Sequence, residues 1–531
     1  MAVADPARRR PPERTGRAAV LVAAGILLSR IFGLIRQRFL GHYLGLGDAA
    51  DAFNAAFKIP NVLQNLFGEG VLSASFIPVY ARLLAEGEEE EAERVAGAVA
   101  ALLAVTTAII VLVGVLGTPW LIAVIAPGFA GAKRELTIQL VRIFFPGAGV
   151  LVLSAWCLGV LNSHRRFFIS YTAPVAWNLA IIGTLIAFGG HTAAAPLAVA
   201  AAWGSLAGSA LQMLVQLPTV MTLLRRFRPS LGVASANVRT VIRTFGPVFV
   251  GRGVVQISAY VDVVLASLLP TGAVAGLTYA QTLYVLPVSL FGMSVSAAEL
   301  PAMSSALGDE AEVGEFLRAR LDAGLRRIAF LVVPSAVAFL ALGDVLAGAL
   351  FQTGRFTRAD TVYVWGILAG SAVGLLASTL GRLYSSAYYA LRDTKTPLRY
   401  AVVRVVLTTA LGALAALLLP PLLSLDLKWG AAGLTASAGV AAWVEFSLLR
   451  RTLNRRIGHT GVPAAFLAKL WLAALAAAAA AWGVKLLLGV AHPIVLAAAA
   501  IAPFGVVYFG LTTLLAVPES RTVLAAIIRR R

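Results

Sequence analysis

The sequence contains little charge, little histidine and almost no cysteine. Of its 531 residues only 13% are Asp, Glu, Lys or Arg, which is about half the share found in soluble domains. The single cysteine, Cys157, excludes a disulfide framework and a cysteine-rich metal site. The 5 histidines are scattered without metal-ligand spacing, and no polar stretch is long enough to build a catalytic domain. A soluble enzyme and a large soluble domain on a single membrane anchor are therefore both excluded.

Apolar residues dominate instead. The chain is 59% hydrophobic, and its mean hydropathy is +0.84. A membrane-spanning helix needs about 20 such residues, and segments of this kind follow one another along the whole chain. They cover 18–41, 50–84, 95–118, 135–162, 170–190, 195–224, 240–269, 272–304, 325–351, 361–391, 397–423, 429–449, 464–489 and 493–517. This series predicts an all-α integral membrane protein with about fourteen transmembrane helices.

Lysine and arginine outnumber the acidic residues, giving a formal net charge of +19. In a soluble protein this excess would indicate a nucleic-acid partner. Here the basic residues cluster in alternate loops and at both chain ends, as the positive-inside rule describes. We therefore predict a multi-pass protein with both termini in the cytoplasm and no nucleic-acid partner. The arginine-rich residues 1–17 are interpreted as a cytoplasmic tail, because the apolar segment that follows is too long for a secretory signal.

The sequence also repeats itself. Leu66-Phe67-Gly68 recurs as Leu290-Phe291-Gly292, and each copy is followed by a serine, an alanine, a proline and an acidic connector. At a similar offset, Leu161-Asn162-Ser163-His164-Arg165 pairs with Leu391-Arg392-Asp393-Thr394-Lys395. Repeats of six helices have the same topology in the membrane, and such repeated bundles are typical of transporters. Chance similarity between apolar segments is the alternative.

The repeat predicts how the chain is divided. A basic tail at 1–17 precedes an N-terminal lobe at 18–228 and a C-terminal lobe at 229–456, and two added helices with a basic end occupy 457–531. The acidic connectors at 86–93 and 309–322 are interpreted as solvated links between helices.

Several predicted helices carry charged side chains at depths where each costs about 2.5–3.5 kcal/mol. Helix 1 contains Arg30 and Arg36. Helix 2 carries polar residues at spacings of three and four, which places them on one helix face. This polar stripe comprises Asp51, Asn54, Lys58, Asn61, Asn65 and Glu69. We interpret it as the lining of a polar cavity that binds substrate; a buried network joining helices is the alternative.

The second half carries its own intramembrane charges. Arg252 lies in the middle of helix 7, near the position equivalent to Arg30, so that each bundle contributes an arginine to a predicted cavity. Such a cavity favours an anionic substrate, and the forked guanidinium suits phosphate in particular. A secondary set comprises Asp262, Gln281, Arg382 and Arg404. The sequence offers no nucleophile–base set, metal cluster or phosphate loop, so transport is predicted and catalysis is not.

A series of ordered motifs spreads over most of the first twelve helices. They are Ser29-Arg30-Ile31-Phe32-Gly33-Leu34-Ile35-Arg36, Asp51-Ala52-Phe53-Asn54-Ala55-Ala56-Phe57-Lys58-Ile59-Pro60-Asn61, Phe67-Gly68-Glu69-Gly70, Phe76-Ile77-Pro78, Leu350-Phe351-Gln352-Thr353-Gly354-Arg355-Phe356-Thr357 and Tyr388-Tyr389-Ala390-Leu391-Arg392-Asp393-Thr394-Lys395-Thr396-Pro397. Together they resemble the MurJ/MviN family of lipid II flippases.

This resemblance implies the fold of the multidrug/oligosaccharidyl-lipid/polysaccharide exporter superfamily. That fold has two pseudo-symmetric six-helix lobes around a V-shaped central cavity, and two C-terminal helices form a groove for a lipid tail. The resemblance also implies the bacterial cytoplasmic (inner) membrane and a substrate. The substrate is lipid II, the undecaprenyl-pyrophosphate-linked disaccharide-pentapeptide, carried from the inner to the outer leaflet by alternating access for peptidoglycan and cell-wall synthesis.

The family's functional residues carry over only in part. Its helix 1 cavity arginines correspond to Arg30 and Arg36, and its helix 2 acid corresponds to Asp51. Gln64 stands where the family often has an arginine, and Gln281-Thr282 stands where it often has an Asp-Arg pair. We hypothesise that Arg252 compensates for the lost cations.

The driving force is left open. The resemblance implies sodium coupling near helices 7, 11 and 12, for which Asp262 is a candidate ligand. Helix 11, however, offers Thr408 and Gly412 where Asn or Asp would be expected. Coupling to the membrane potential is the alternative. No cofactor is expected, the expected partners are lipid II and membrane lipids, and the protein is expected to act as a monomer.

Two other transport functions are retained as alternatives. One is a flippase for another polyprenyl-pyrophosphate-linked oligosaccharide. The other is a multidrug exporter of the same superfamily, which the basic cavity disfavours because cationic drugs need acidic walls. A membrane scaffold needs no polar stripe, and an intramembrane enzyme needs a catalytic set that the sequence does not offer.

Overall fold

In the computed structural model, every regular element of the described residues is a helix. The structure describes residues 13–225, 227–232, 235–305, 309–489 and 492–521, with the side chains of 13–23, 60, 69, 248, 250–259 and 310 left out of the description. The predicted all-α class is confirmed.

The helices follow one another with short connections. The N-terminal half forms α1 (Glu13–Leu44), α2 (Asp48–Phe67), α3 (Glu69–Glu86), α4 (Glu89–Leu116), α5 (Thr118–Ile125), α6 (Gly131–Ser163), α7 (Phe167–Gly189) and α8 (Ala194–Leu223). The C-terminal half forms α9 (Ala236–Ser267), α10 (Ala273–Pro287), α11 (Ser294–Ser304), α12 (Glu310–Phe351), α13 (Arg358–Ala390), α14 (Lys395–Ala413), α15 (Leu419–Leu422), α16 (Gly430–Ile457), α17 (Ala464–Leu488) and α18 (Pro493–Leu514). Two π-helical segments, Val288–Met293 and Leu414–Leu418, connect α10 to α11 and α14 to α15.

The described ranges contain 11 helices that are long and apolar enough to cross a membrane. In two of these crossings a π-helical segment continues the helix, from Ala273 to Ser304 and from Lys395 to Leu422. α2 is outside this set and carries Asp48, Asp51 and Lys58 within its 20 residues. The multi-span helical architecture is therefore confirmed, while the count of fourteen stays a prediction.

The expectation of one continuous helix over 50–84 is wrong. The chain breaks at Gly68, which has φ −90° and ψ −141°, and α3 begins at the next residue. A Cβ at this position would lie 2.1 Å from the carbonyl oxygen of Gln64. The glycine thus permits a break that a side chain would oppose.

The acidic connector expected as a loop over 309–322 is instead helical and forms the first turns of α12, with exposed and buried residues alternating along it. α12 begins at Glu310, where Asp309 caps it by accepting a 2.8 Å hydrogen bond from the backbone N–H of Glu312. A capped and charged first turn is a favourable helix start. The helix predicted at 325–351 therefore begins earlier, at Glu310, and includes the acidic segment.

The contacts divide the chain into two compact units. The N-terminal unit comprises Met1–Leu44 and Asp48–Tyr260, and the C-terminal unit comprises Gly45–Gly47 and Val261–Arg531. The division falls inside α9, and α17 and α18 belong to the C-terminal unit. Both pack against α12 through specific contacts: Tyr508 donates to the carbonyl of Phe330 at 2.6 Å, and Lys485 pairs with Asp344 at 2.6 Å.

The internal geometry of each unit repeats at a characteristic turn. After α6, Arg165 adopts φ 61°, and after α13, Arg392 adopts φ 57°. In both turns the next N–H bonds back to the fifth residue before it, Arg166 to Leu161 and Asp393 to Tyr388, at 2.8 and 2.9 Å. Because the left-handed residue fixes the register of each turn, Arg165 corresponds to Arg392. Sequence similarity instead pairs Arg165 with Lys395, three positions further along.

Candidate functional site

Arg36 lies beside a pair of stacked aromatic rings in the N-terminal unit and contacts both of them. Its guanidinium carbon is 4.8 Å from the ring centre of Phe57 in α2 and 5.3 Å from that of Trp177 in α7. The two rings stack on each other at 5.4 Å with an interplanar angle of 7°. Because cation–π contacts use the ring faces, they fix the position of the guanidinium without using its in-plane N–H donors.

These donors are only partly used within the protein. The Nε of Arg36 is buried and has no hydrogen-bond partner among the described residues. A fixed guanidinium with an unused buried donor is suited to an oxyanion. Arg30, six residues earlier on α1, is exposed.

Asp51 is held in a buried ion pair. It is 1% exposed, and its carboxylate lies 2.6 Å from the ammonium of Lys133 in α6. The same ammonium also reaches Asp48 at 3.1 Å and the ring of Phe129 at 4.4 Å. This pair links the first turns of α2 and α6.

The exposure of the polar stripe increases along α2. Asn54 is 5% exposed and donates to the carbonyl of Ala50, whereas Lys58 and Asn61 are half-buried and Asn65 is exposed. The first turns of the stripe thus serve packing, and its later turns are accessible. Accessible polar groups on a membrane helix must meet water or a polar ligand.

Two residues that the sequence singles out lie outside the described side chains. Arg252 is part of α9, but its side chain is outside the description, and so is that of Glu69 at the start of α3. The hypothesis that Arg252 compensates for Gln64 and Gln281 stays a prediction.

In the C-terminal unit the structure brings the secondary set together in two cavities that share Arg404. A cavity of about 160 Å³ is lined by Asp262, Gln281, Tyr284, Ser371, Arg404 and Thr435, among others. A second, of about 410 Å³, is lined by Ser296, Ser378, Arg382, Arg404 and Glu445, among others. Tyr284 and Ser378, which line different cavities, share a 2.8 Å hydrogen bond.

Arg404 is tied to one acidic partner. It donates to Glu445 of α16 across 3.0 Å, with 37% of the arginine side chain and 15% of the glutamate side chain exposed. The fixed positive charge of Arg404 also borders the cavity that contains Asp262.

One polar face escaped the sequence analysis. Ser378, Arg382, Ser385 and Tyr389 lie on one side of α13 at spacings of four, three and four, and all line the larger cavity. Its periodicity matches that of the polar stripe on α2, so the same search for helical spacing would have found it.

The sodium site that the family resemblance implies would have to form in a cavity whose wall already carries a cation. The guanidinium of Arg404 lies on the wall of the cavity that holds Asp262, and a fixed cation there opposes a second one. Within the described ranges, His, Cys, Asp and Glu side chains form no group of three or more that could hold a metal ion.

Two helical units with many candidate membrane spans and with arginines on their helices are typical of a membrane transporter. A family model described as lipid II flippase MurJ matches residues 40–499. The chain belongs to the lipid II flippase MurJ family, which confirms the resemblance.

Curated relatives agree over most of the chain. The lipid II flippase MurJ of Burkholderia cenocepacia is 32% identical over 446 residues, covering 83% of this chain and 84% of the relative. A probable lipid II flippase MurJ of Rhizobium meliloti is 33% identical over 451 residues, covering 83% and 80%. Such relatives, with the multi-span architecture, indicate an inner-membrane protein.

Solved structures support the fold. A lipid II flippase MurJ in an inward closed conformation matches with a TM-score of 0.77 and 22% identity, over 93% of this chain and 98% of that one. An inward-facing multidrug resistance transporter of the MATE family matches with a TM-score of 0.62 and 18% identity, over 82% and 98%. The chain thus shares the all-helical fold of these transporters.

Proposed function

We propose that this protein moves lipid II from the inner to the outer leaflet of the bacterial inner membrane by alternating access. Family membership supports lipid II as the substrate. The pyrophosphate of lipid II is an anion that a guanidinium of the N-terminal unit can bind. The observation that carries the proposal is Arg36, which two aromatic rings hold in place while its Nε has no partner among the described residues.

Pyrophosphate binding follows from the geometry of this arginine. A guanidinium presents paired N–H donors that match two oxygens of a phosphate group, and such charge-assisted bonds are roughly twice as strong as neutral ones. Asn61 and Asn65, on the accessible turns of α2, supply neutral donors on the same helix as Phe57. Arg30, Lys58 and Arg252 add positive charge in this proposal.

The topology and the lipid tail belong to the same proposal. The basic loops support cytoplasmic termini, and we assign the lobes to 18–228 and 229–456. α17 and α18 carry exposed apolar side chains such as Leu472, Leu475 and Val506, which form a surface for the polyprenyl chain. We propose a monomer, since both units lie within one chain.

We also propose that transport needs no sodium. Arg404 provides a tethered cation on the wall of the cavity that holds Asp262, and its positive charge weakens the attraction of that cavity for a mobile cation. The membrane potential is worth about 2.3 kcal/mol per charge per 100 mV, which is enough to bias a conformational change of charged helices.

The decisive experiment is reconstitution of the purified protein into liposomes that contain lipid II. The readout is the fraction of lipid II accessible in the outer leaflet, with and without a potential and in sodium or potassium buffer. We expect transport in both buffers, a response to the potential and a loss of about tenfold or more in Arg36→Gln, since a lost charge-assisted bond is worth about 1.5–3 kcal/mol.

Arg451→Gln is the matched control, because Arg451 is an exposed arginine of α16. Transport that is absent with an active family member run in parallel would overturn the assignment. A strict requirement for sodium would overturn the tethered-cation proposal alone.

A second candidate substrate is another polyprenyl-pyrophosphate-linked oligosaccharide. Gln64 and Gln281 favour it, because neutral residues stand where the family often has cations. Liposomes with a non-peptidoglycan lipid-linked sugar separate the two: faster transport of that lipid than of lipid II would select the second candidate.

A further inference from the structure

A charged groove lies on the exposed surface of the N-terminal unit, apart from Arg36 and the polar stripe. Glu135, Gln139 and Arg142 are exposed on α6 at spacings of four and three, so they share one helix face. Trp203 of α8, which is 56% exposed, forms the opposite wall. These residues, with Ile138 and Ile143, line a space of about 430 Å³.

The charges of this groove have no partner within the described part of the chain. Neither Glu135 nor Arg142 forms a hydrogen bond or ion pair with a described residue. Some other charges on spanning helices are paired, as in Lys485 with Asp344 at 2.6 Å and Arg404 with Glu445 at 3.0 Å. Because an unpaired charge on a spanning helix is costly, the groove favours an external polar partner.

The spacing of the two charges limits what that partner can be. Glu135 lies seven residues before Arg142, about 10 Å along the helix axis. Side chains on a helix lean toward its N-terminus, so the long Arg142 side chain extends back toward Gln139. The guanidinium and the carboxylate are therefore separated along the axis by roughly the length of a phospholipid headgroup.

The apolar surroundings indicate a lipid. α6 and α8 run in the same direction because α7 returns the chain between them. Beyond Trp203, α8 exposes the apolar side chains of Leu211, at 47%, and Leu214, at 57%. These residues offer an apolar surface next to the groove on which acyl chains could lie.

We infer that this groove binds the headgroup of a zwitterionic, ammonium-bearing phospholipid, with phosphatidylethanolamine as the representative. Arg142 and Gln139 bind the phosphate, and the guanidinium fork suits it. Glu135 receives the ammonium. The groove contributes one positive and one negative side chain, so it complements a neutral zwitterion better than an anionic lipid.

Native mass spectrometry of the full-length protein tests the inference. Detergent-purified protein is mixed with equal amounts of phosphatidylethanolamine and phosphatidylglycerol, and retained lipid is counted. We expect retention of phosphatidylethanolamine at least fivefold above phosphatidylglycerol. Arg142→Gln should reduce retention of both lipids, and Arg451→Gln should match the wild type.

Glu135→Gln tests whether the groove binds the ammonium of the headgroup as well as its phosphate. This exposed, nearly isosteric change should lower retention of phosphatidylethanolamine and raise that of phosphatidylglycerol, reversing the preference. Unchanged preference in Glu135→Gln, or equal retention of both lipids by the wild type, would overturn the inference. A protein dimer that Arg142→Gln dissociates would also overturn it, by showing that a second copy fills the groove.

Discussion

The guanidinium of Arg36 lies over the ring of Phe57, 4.8 Å from its centre. The arginine comes from α1 and the phenylalanine from α2. The helices that carry the motifs at 29–36 and 51–61 therefore meet at this cation–π contact. The ring of Trp177, in α7 of the same unit, also contacts this guanidinium. Its centre lies 5.3 Å from the guanidinium carbon.

This contact predicts that Arg36→Lys does not preserve transport. Lysine keeps the charge but lacks the planar fork and the stacking face, and a desolvated cation–π contact is worth about 2 kcal/mol. We expect initial rates of lipid II transport in liposomes to fall by about tenfold, since 1.4 kcal/mol corresponds to tenfold. Trp177→Leu should give a smaller loss in the same direction, with Trp120→Leu, at an 80% exposed tryptophan, as control. A wild-type rate in Arg36→Lys would contradict the role assigned to the fork.

Arg404 and Glu445 should be energetically coupled. Glu445→Gln leaves the guanidinium without the carboxylate it contacts at 3.0 Å, so the apparent melting temperature in detergent should fall. In Arg404→Gln/Glu445→Gln the loss should be smaller than the sum of the single losses. We expect a coupling energy of about 1 kcal/mol for this partly exposed pair. Strictly additive losses would show that the contact contributes nothing to stability.

The class of protein and the course of most helices follow from sequence. Long apolar segments and alternating basic loops depend on local composition, which a single sequence displays. Helix ends are harder to predict. The break at Gly68 depends on backbone torsion, and the extension of α12 into acidic sequence depends on capping by Asp309.

The sequence predicts the arginine of the candidate site but not the aromatic residues that contact it. Arg36 stands out as a charge on an apolar helix, but Phe57 and Trp177 look like ordinary core residues. Their contact requires α1, α2 and α7 to meet, which no local pattern specifies. Asp51 is the converse case: its position on the polar stripe favours a cavity, and the ion pair with Lys133 that the structure adds is not visible in the spacing. Arg142 follows the polar first turns of α6, and its exposure, which the sequence does not show, separates it from a packed residue.

Asp393 fixes the turn between α13 and α14. It accepts hydrogen bonds from the backbone N–H and the hydroxyl of Thr396, at 3.0 and 2.7 Å, and pairs with Arg456 of α16 at 2.7 Å. The backbone hydrogen bond from Thr396 is the main cause that lowers the pKa of Asp393 to about 2.

A lowered carboxyl pKa has a defined effect on stability. Ionised Asp393 stabilises the fold fully above its unfolded pKa of about 3.9, and this contribution is lost as the pH falls toward 2. We expect the apparent melting temperature of the wild type to fall more steeply between pH 5 and pH 3 than that of Asp393→Asn, in a scan of about two pH units. Parallel curves for the two proteins would contradict the assignment.

The buried pair of Asp51 and Lys133 should be the most sensitive ion pair to single substitution. Lys133→Met leaves a carboxylate that is 1% exposed without its ammonium, and such a change costs about 3–5 kcal/mol. In Asp51→Asn/Lys133→Met the buried carboxylate is gone and only the Asp48 carboxylate, whose side chain is 61% exposed, loses its ammonium, so much of the stability should return. Lys428→Met, which breaks the exposed pair with Asp426, should cost about 0–1 kcal/mol. Equal losses in Lys133→Met and Lys428→Met would mean that the pair is hydrated in the membrane protein, because only water could screen a lone Asp51 as well as it screens a surface charge.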